Sequence, residues 1–227
     1  MSALRLAHRG DWRRVPENTL GAMGAALAIP ACDGLEFDVR SSRDGVAVLL
    51  HDATLERVQG VPWACAERTA AELERDGVPT LAAVLALAGR PRNGRLPFLD
   101  VELKEVPGDS FVDALGASRG RTDGGLDRAV VSSFHPEALE ELARRRPGWA
   151  RWGNAMDLDA GTIAIARSIG CVGLSVSWPA ITPGGMARAR AAGLEVAAWT
   201  VRRRPTFDRL ERLGVMAICV EAAALDG

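Results

Sequence analysis

GLEFDVRSSRDGVAVLLHD, residues 34–52, sets two short apolar runs on either side of Asp44-Gly45. Asp-Gly between such runs is a strong hairpin signal. With Asp44 and Gly45 as a two-residue turn, Arg43 faces Val46 and Asp38 faces His51. Directly opposed residues have Cβ atoms about 5 Å apart. Glu36, two residues before Asp38, projects from the same face. One ribbon then gathers two carboxylates and an imidazole. Carboxylates at this spacing suit a hard, oxygen-seeking cation, and an imidazole beside it is a ready acid or base. A three-residue loop with a bulge would slip the register by one and turn a side chain away.

The second arm follows the first too closely to be its parallel neighbour, which needs a crossover of about a dozen residues. It is an antiparallel outgrowth. Setting it aside, apolar runs read as strands at 4–7, 35–39, 96–104, 129–134, 149–153, 171–176, 195–201 and 215–220. Helices are expected at 19–29, 80–88, 110–118, 136–146, 160–169, 185–192 and 206–213, with another start at 69–75. Asn18 or Thr19 can cap the first helix and Thr80 a later one. The segment from His51 to about Arg68 reads as irregular. Eight strands alternating with helices predict an α/β chain folded as a (β/α)8 TIM barrel. It carries a hairpin and a short insertion, about residues 40–79, within one domain spanning 1–227. Few residues follow the last strand, so the eighth helix is expected to be truncated or absent. An open doubly wound sheet is the alternative, but no GxGxxG follows the first strand.

The chain has 227 residues, 48% hydrophobic and 25% charged, ordinary for a globular domain. A net charge of −1 argues against nucleic acid or a membrane surface as partner. No apolar run is long enough to span a bilayer, and MSALRLAHRG has no signal-peptide core. Cys32, Cys65, Cys171 and Cys219 are widely spaced and read as core thiols of a cytoplasmic protein. Lys104 is the single lysine among 28 basic residues. Its compact ammonium suits a point contact that an arginine fork does not make.

Active sites of such barrels lie at the C-terminal strand ends. Those ends carry His8 and Arg9, Glu36 and Asp38, Glu102 and Lys104, Ser132 and Ser133, Trp199 and Glu221, with His51 returned by the hairpin. Clustered buried acids need a cation. Glu36, Asp38 and Glu102 are the candidate ligands, and all-oxygen donors favour Mg²⁺ or Ca²⁺. Arg9 and Lys104 suit a phosphate. Asp52 reads as a turn cap, His135 as structural at a helix start, and Asp100 as paired inside the barrel. Trp199 is barrel core or an apolar pocket wall.

These residues resemble the glycerophosphodiester phosphodiesterase family. The resemblance runs through LAHRGDWRRVPENTL (6–20), GLEFDVRSSRDGVAVLLHDATLERV (34–58), VPTLAAVL (78–85) and LDVELK (99–104). It continues more weakly through VVSSFHPEAL (130–139) and AAWTV (197–201). It implies a (β/α)8 barrel with His8 and His51 as general acid and base. Glu36, Asp38 and Glu102 would hold a divalent cation, Mg²⁺ or Ca²⁺. Arg9 and Lys104 would contact phosphate. Glu17 would bond substrate or orient His8 or Arg9, and Trp199 would line a glycerol pocket. Two features depart from the family. The insert after His51 is short and lacks the usual Thr and Gly run. Glu221 is followed by Ala where the family commonly has Asp-x-Pro.

The implied reaction converts a small-molecule glycerophosphodiester to glycerol 3-phosphate and an alcohol. One alternative is lysophospholipase D-type activity on lysolipids, which needs an apolar groove that no sequence stretch advertises. Another is a non-catalytic barrel that binds a phosphate ligand.

Overall fold

The computed structural model describes residues 2–92 and 94–227. The first strand, β1 (Leu4–His8), leads to α1 (Leu20–Ala28), whose N-cap is Thr19; its hydroxyl accepts from the Ala22 amide. Next come β2 (Gly34–Ser41) and the short β3 (Ala47–Leu49). The helices α2 (Glu56–Gln59), α3 (Ala70–Arg75) and α4 (Leu81–Ala88) complete that connection. Thr69 and Thr80 cap the last two through their side chains. Regular alternation follows: β4 (Phe98–Leu103), α5 (Asp109–Arg119), β5 (Ala129–Ser133), α6 (Pro136–Arg145) and β6 (Arg151–Ala155). It continues with α7 (Ala160–Ser168), β7 (Gly173–Ser177), α8 (Pro183–Ala191), β8 (Glu195–Val201), α9 (Arg204–Arg212) and β9 (Ala217–Val220). Ala222–Ala224 then form one 3-10 turn.

β1 pairs in parallel with both β9 and β2, so the sheet closes into an eight-stranded barrel and the open doubly wound alternative is excluded. β2 is long enough to serve two neighbours on one edge. Gly34 to Glu36 pair with β1, and Val39 to Ser41 pair with antiparallel β3. The hairpin therefore rises from the C-terminal rim without interrupting the barrel.

The hairpin register differs from the two-residue turn. Ser41 faces Ala47, the Ser42 amide donates to the Val46 carbonyl (2.9 Å), and the Leu50 amide donates to the Asp38 carbonyl (3.2 Å). Asp38 thus stands opposite Leu50, not His51, and Arg43 does not face Val46. The loop has three residues, with only Gly45 left-handed at φ 76°. A two-residue I′ turn would need positive φ at both Asp44 and Gly45. Asp44 instead accepts from the Ser42 hydroxyl (2.6 Å) and from the Ala70 amide opening α3 (2.9 Å). His51 lies beyond the ribbon, where Arg40 Nε and Nη2 donate to its carbonyl (3.1 and 2.9 Å).

Three apolar clusters form. The largest lies between strands and helices. A second fills the barrel with Leu6, Val130, Trp152, Ala197, Ala217 and Cys219. Trp152 fits because Gly173 on the adjacent strand lacks a Cβ, which would lie 2.8 Å from the indole. The third belongs to the segment after β2: Val48, Leu50, Leu55, Cys65, Ala70, Leu73 and Val78. The residues after His51 are thus more ordered than expected, with α2 and a 3-10 turn at Cys65–Glu67. All four cysteines are buried and free.

Candidate active site

Side chains alternate along each strand, so inward positions run from apolar at the floor to polar at the rim. Leu6 precedes His8 on β1, and Gly34 precedes Glu36 and Asp38 on β2. Parallel register sets His8 beside Glu36, Glu36 beside Asp100, and Asp38 beside Glu102. Oxygens of Glu36, Asp38 and Glu102 all lie within 4.8 Å of one another. Glu36 Oε1 is buried with no hydrogen-bond partner among the described residues.

Arg9 leaves β1 in a left-handed conformation (φ 58°), followed by Gly10 at φ 84°. A Cβ on Gly10 would lie 2.6 Å from the Ala22 carbonyl carbon, so glycine lets the turn pass beneath α1. The turn aims the Arg9 amide at Glu36 Oε2 (3.1 Å) and its guanidinium at Asp38 (3.2 Å) and Glu17 (2.9 Å). Glu17 therefore orients Arg9. Lys104 Nζ lies 2.8 Å from Asp38 Oδ1 and also contacts Glu102.

Charge is unevenly compensated. Burial opposes ionisation of Asp38, but Lys104, Arg9 and His51 hold its carboxyl down, to about 2. Burial and the charges of Asp38, Glu102 and Asp100 push Glu36 well above the usual carboxylate range. Burial and Asp38 likewise raise Glu102. Asp100, one layer deeper, is pushed up to about 7 by burial and accepts from the Ser132 hydroxyl (2.6 Å), pairing inside the barrel as expected. An oxygen-lined cluster with more carboxylates than cations and an orphaned oxygen fits a hard divalent ion.

Each cavity histidine pairs through Nδ1 with a carboxylate. His8 contacts Glu221 Oε1 (2.6 Å), and Glu221 Oε2 accepts from Arg202 Nε (2.7 Å). His51 contacts Asp52 Oδ1 (2.6 Å), and Asp52 Oδ2 accepts from Arg57 Nε (2.5 Å). This arrangement leaves Nε2 of each ring without a hydrogen bond among the described residues; that of His8 lies 3.8 Å from Glu36 Oε2. Burial lowers the His51 pKa, with Asp38 and Asp52 opposing the shift.

The cavity holding His8, Arg9, Glu36, His51, Glu102 and Lys104 is about 150 Å³ and has Trp199 and Phe134 on its wall. Trp199 Nε1 donates to the Ser175 carbonyl (3.0 Å), and the Phe134 ring meets Trp199 edge-on at 5.5 Å. Trp199 is a pocket wall, with its lower part packed on the barrel filling. His135 sits outside the cavity at the start of α6.

Asn18 is not the helix cap. In a left-handed conformation (φ 55°), it donates through Nδ2 to Asp38 Oδ2 (2.7 Å). Asp52 does more than close a turn, since it anchors His51 directly. Glu221, seen in the sequence only as a strand-end acid, proves to be the His8 partner; its inward phase on β9 was the available signal. Nothing in the sequence marked Arg57 or Arg202.

A family model described as "Glycerophosphoryl diester phosphodiesterase family" matches residues 8–225. A glycerophosphodiester phosphodiesterase of Caldanaerobacter subterraneus is 25% identical over 97% of this chain and 95% of its own length. A glycerophosphodiester phosphodiesterase from Agrobacterium tumefaciens superposes with a TM-score of 0.79 at 25% identity, covering 99% of this chain and 98% of that one. An Oleispira antarctica phosphodiesterase, solved with the product sn-glycerol-3-phosphate, superposes with a TM-score of 0.80 at 24% identity, over 96% of this chain and 93% of that one.

Proposed function

The chain belongs to the glycerophosphoryl diester phosphodiesterase family, and from that membership we propose that it hydrolyses glycerophosphodiesters to glycerol 3-phosphate and an alcohol. The observation carrying this reading is the convergence of His8, His51, Arg9, Lys104 and three acids on one small cavity. The product bound by the Oleispira phosphodiesterase is the one this reaction releases.

Glu36, Asp38 and Glu102 would hold a divalent cation, Mg²⁺ or Ca²⁺. Such an ion supplies Lewis-acid neutralisation of phosphate charge. Arg9 and Lys104, fixed against Asp38, direct their remaining donors to the phosphate oxygens. Of the two histidines, one takes the proton from the attacking glycerol hydroxyl as its oxygen bonds to phosphorus. The other donates a proton to the departing alkoxide as the second P–O bond breaks. Attack by the substrate's own hydroxyl gives a cyclic phosphate, which water then opens. The Trp199–Phe134 wall supports an apolar edge for the glycerol carbons.

The test is glycerol 3-phosphate release from glycerophosphocholine by metal-stripped protein with Mg²⁺, Ca²⁺ or neither. Release with a cation and loss in His51→Ala are expected. Wild-type turnover by His51→Ala at saturating metal would refute the two-histidine scheme. Binding of glycerol 3-phosphate with no turnover under any metal would favour the binding-barrel alternative.

The structure gives the lysolipid reading a specific support. A groove of about 340 Å³ between α6 and α7 is lined by Phe134, Met156 and Ile165, all exposed, and shares Phe134 with the cavity. Faster turnover of lysophosphatidylcholine than of glycerophosphocholine would favour that substrate.

A further inference from the structure

We propose that Arg57, carried by the segment between β3 and α3 and not by the barrel, is a positioning residue that sets His51 and Arg9 together; the inference rests on the reading of the site given above. Arg57 Nε donates to Asp52 Oδ2 (2.5 Å), and Asp52 Oδ1 holds His51 Nδ1 (2.6 Å). Arg57 Nη2 donates to Glu17 Oε1 (2.6 Å), the oxygen that accepts from Arg9 Nη1 (2.9 Å). One guanidinium thus spans two carboxylates, each gripping a different cavity residue.

The geometry is specific. Nε and an Nη form the edge of the arginine fork that usually grips both oxygens of a single carboxylate. Here the edge is divided between Asp52 and Glu17, two acids 35 positions apart, by their numbering in the sequence. Arg57 removes the repulsion that would otherwise separate them. Burial opposes ionisation of both acids, yet the bonds to Arg57 help hold Asp52 down to about 2 and Glu17 below its ordinary range.

A purely structural role is a poor explanation for this residue. The α2 helix buries none of its residues and lacks a side-chain cap. The Arg57 side chain is 49% exposed, and ion pairs so open to water contribute little to folding stability. Its partners are more enclosed, with Glu17 at 10% and Asp52 at 30%, and each grips a residue that lines the cavity. Asp52 keeps the His51 proton on Nδ1 and leaves Nε2 for proton transfer. Glu17 keeps Arg9 extended towards the phosphate position. Arg57 is therefore the side chain through which the segment after the hairpin acts on both a proton-transfer residue and an anion-binding residue.

Two measurements test this. The first does not depend on activity. The chain has three histidines, so the ¹⁵N imidazole NMR spectrum contains three rings, and His51→Ala assigns one. At pH about 8.5, roughly two units above the ordinary histidine value, His51 in the wild type should show a single tautomer with the proton on Nδ1. In Arg57→Ala and Arg57→Gln its two nitrogen signals should move toward each other, while His135 stays fixed. The second measurement is kinetic. Asp52→Asn should lower kcat, Glu17→Gln should raise KM, and Arg57→Ala should do both, by about 100-fold in kcat/KM. Added guanidinium ion should recover part of that loss, and the unfolding temperature should barely change. Wild-type His51 signals in Arg57→Ala overturn the proposal. So do unchanged kcat and KM, or an activity loss that tracks a falling unfolding temperature. If the wild type itself releases no glycerol 3-phosphate, the catalytic reading fails and the NMR result alone decides the role of Arg57.

Discussion

Glu221→Gln removes one charge from the most enclosed histidine partner and leaves its shape almost intact. Glu221 is 7% exposed. Its carboxylate touches His8 Nδ1 at 2.6 Å and accepts from Arg202 Nε at 2.7 Å. Burial opposes its ionisation, but these two partners lower its pKa from 4.5 to about 2. A shift of that size corresponds to about 3 kcal/mol of folding stability. The Arg202 side chain is 69% exposed, so solvent screens part of that, leaving about 2–3 kcal/mol. The folded pKa lies below the unfolded one. The contribution is therefore complete above about pH 4.5 and is lost as pH falls through about 2. For a chain of this size the variant should melt roughly 5–10 °C lower at pH 7. At pH 3 the difference should be about half as large. Calorimetry at the two pH values measures both. A single amide oxygen cannot serve both His8 and Arg202 as the two carboxylate oxygens do, so the His8 ring is held less firmly and glycerol 3-phosphate release should fall by about 100-fold, with Glu221→Asp retaining more of it. An unchanged melting temperature at pH 7, or a difference that does not narrow on acidification, would refute the His8–Glu221–Arg202 linkage as described.

Three further outcomes are expected of the metal cluster, the Arg9 turn and the insertion core. Adding Mg²⁺ or Ca²⁺ to metal-stripped protein should relieve repulsion among Glu36, Asp38 and Glu102 if they hold the ion as proposed. At a hundredfold excess over Kd it should stabilise by about 2.7 kcal/mol, read as a melting shift that Glu102→Gln diminishes; no shift with either ion would count against the site. Gly10→Ala forces a Cβ to within 2.6 Å of Ala22 backbone at φ 84°. It should cost at least about 2 kcal/mol by denaturant titration and displace Arg9. Leu73→Ala empties the small core of the insertion, where Leu73 is fully buried. It should cost about 2–5 kcal/mol locally. Early proteolytic cleavage between residues 51 and 79 and reduced kcat/KM would register it, and wild-type protease resistance there would speak against a separate core.

Much of this molecule was legible in one dimension. Strand-helix alternation requires only local periodicity, and it located the eight barrel strands to within a few residues. The shifts were local: the strand at 149–153 lies at Arg151–Ala155, because Trp149 packs outward against the helix layer. The phase of Glu36, Asp38, Glu102 and Lys104 placed them on one face, and the barrel rim brought them together. Asp-Gly located the hairpin. Its register escaped because Asp44 is held by the Ala70 amide, 26 positions away, a partner no local pattern contains.

The sequence by itself determined the fold class and the chemical inventory of the rim, since period and strand-end position depend on neighbours along the chain. Tertiary structure alone decided which groups are partners. His8 meets Glu221 across 213 positions because barrel closure sets β1 against β9. Arg57 meets Glu17 across 40 because the segment after the hairpin folds back over the rim. Asn18 turns from a cap position to Asp38 because a left-handed backbone aims it there. A hydrogen bond requires heavy atoms within about 3 Å and correctly aimed. Periodicity places a side chain on a face, and only the closed and packed chain brings it within that distance.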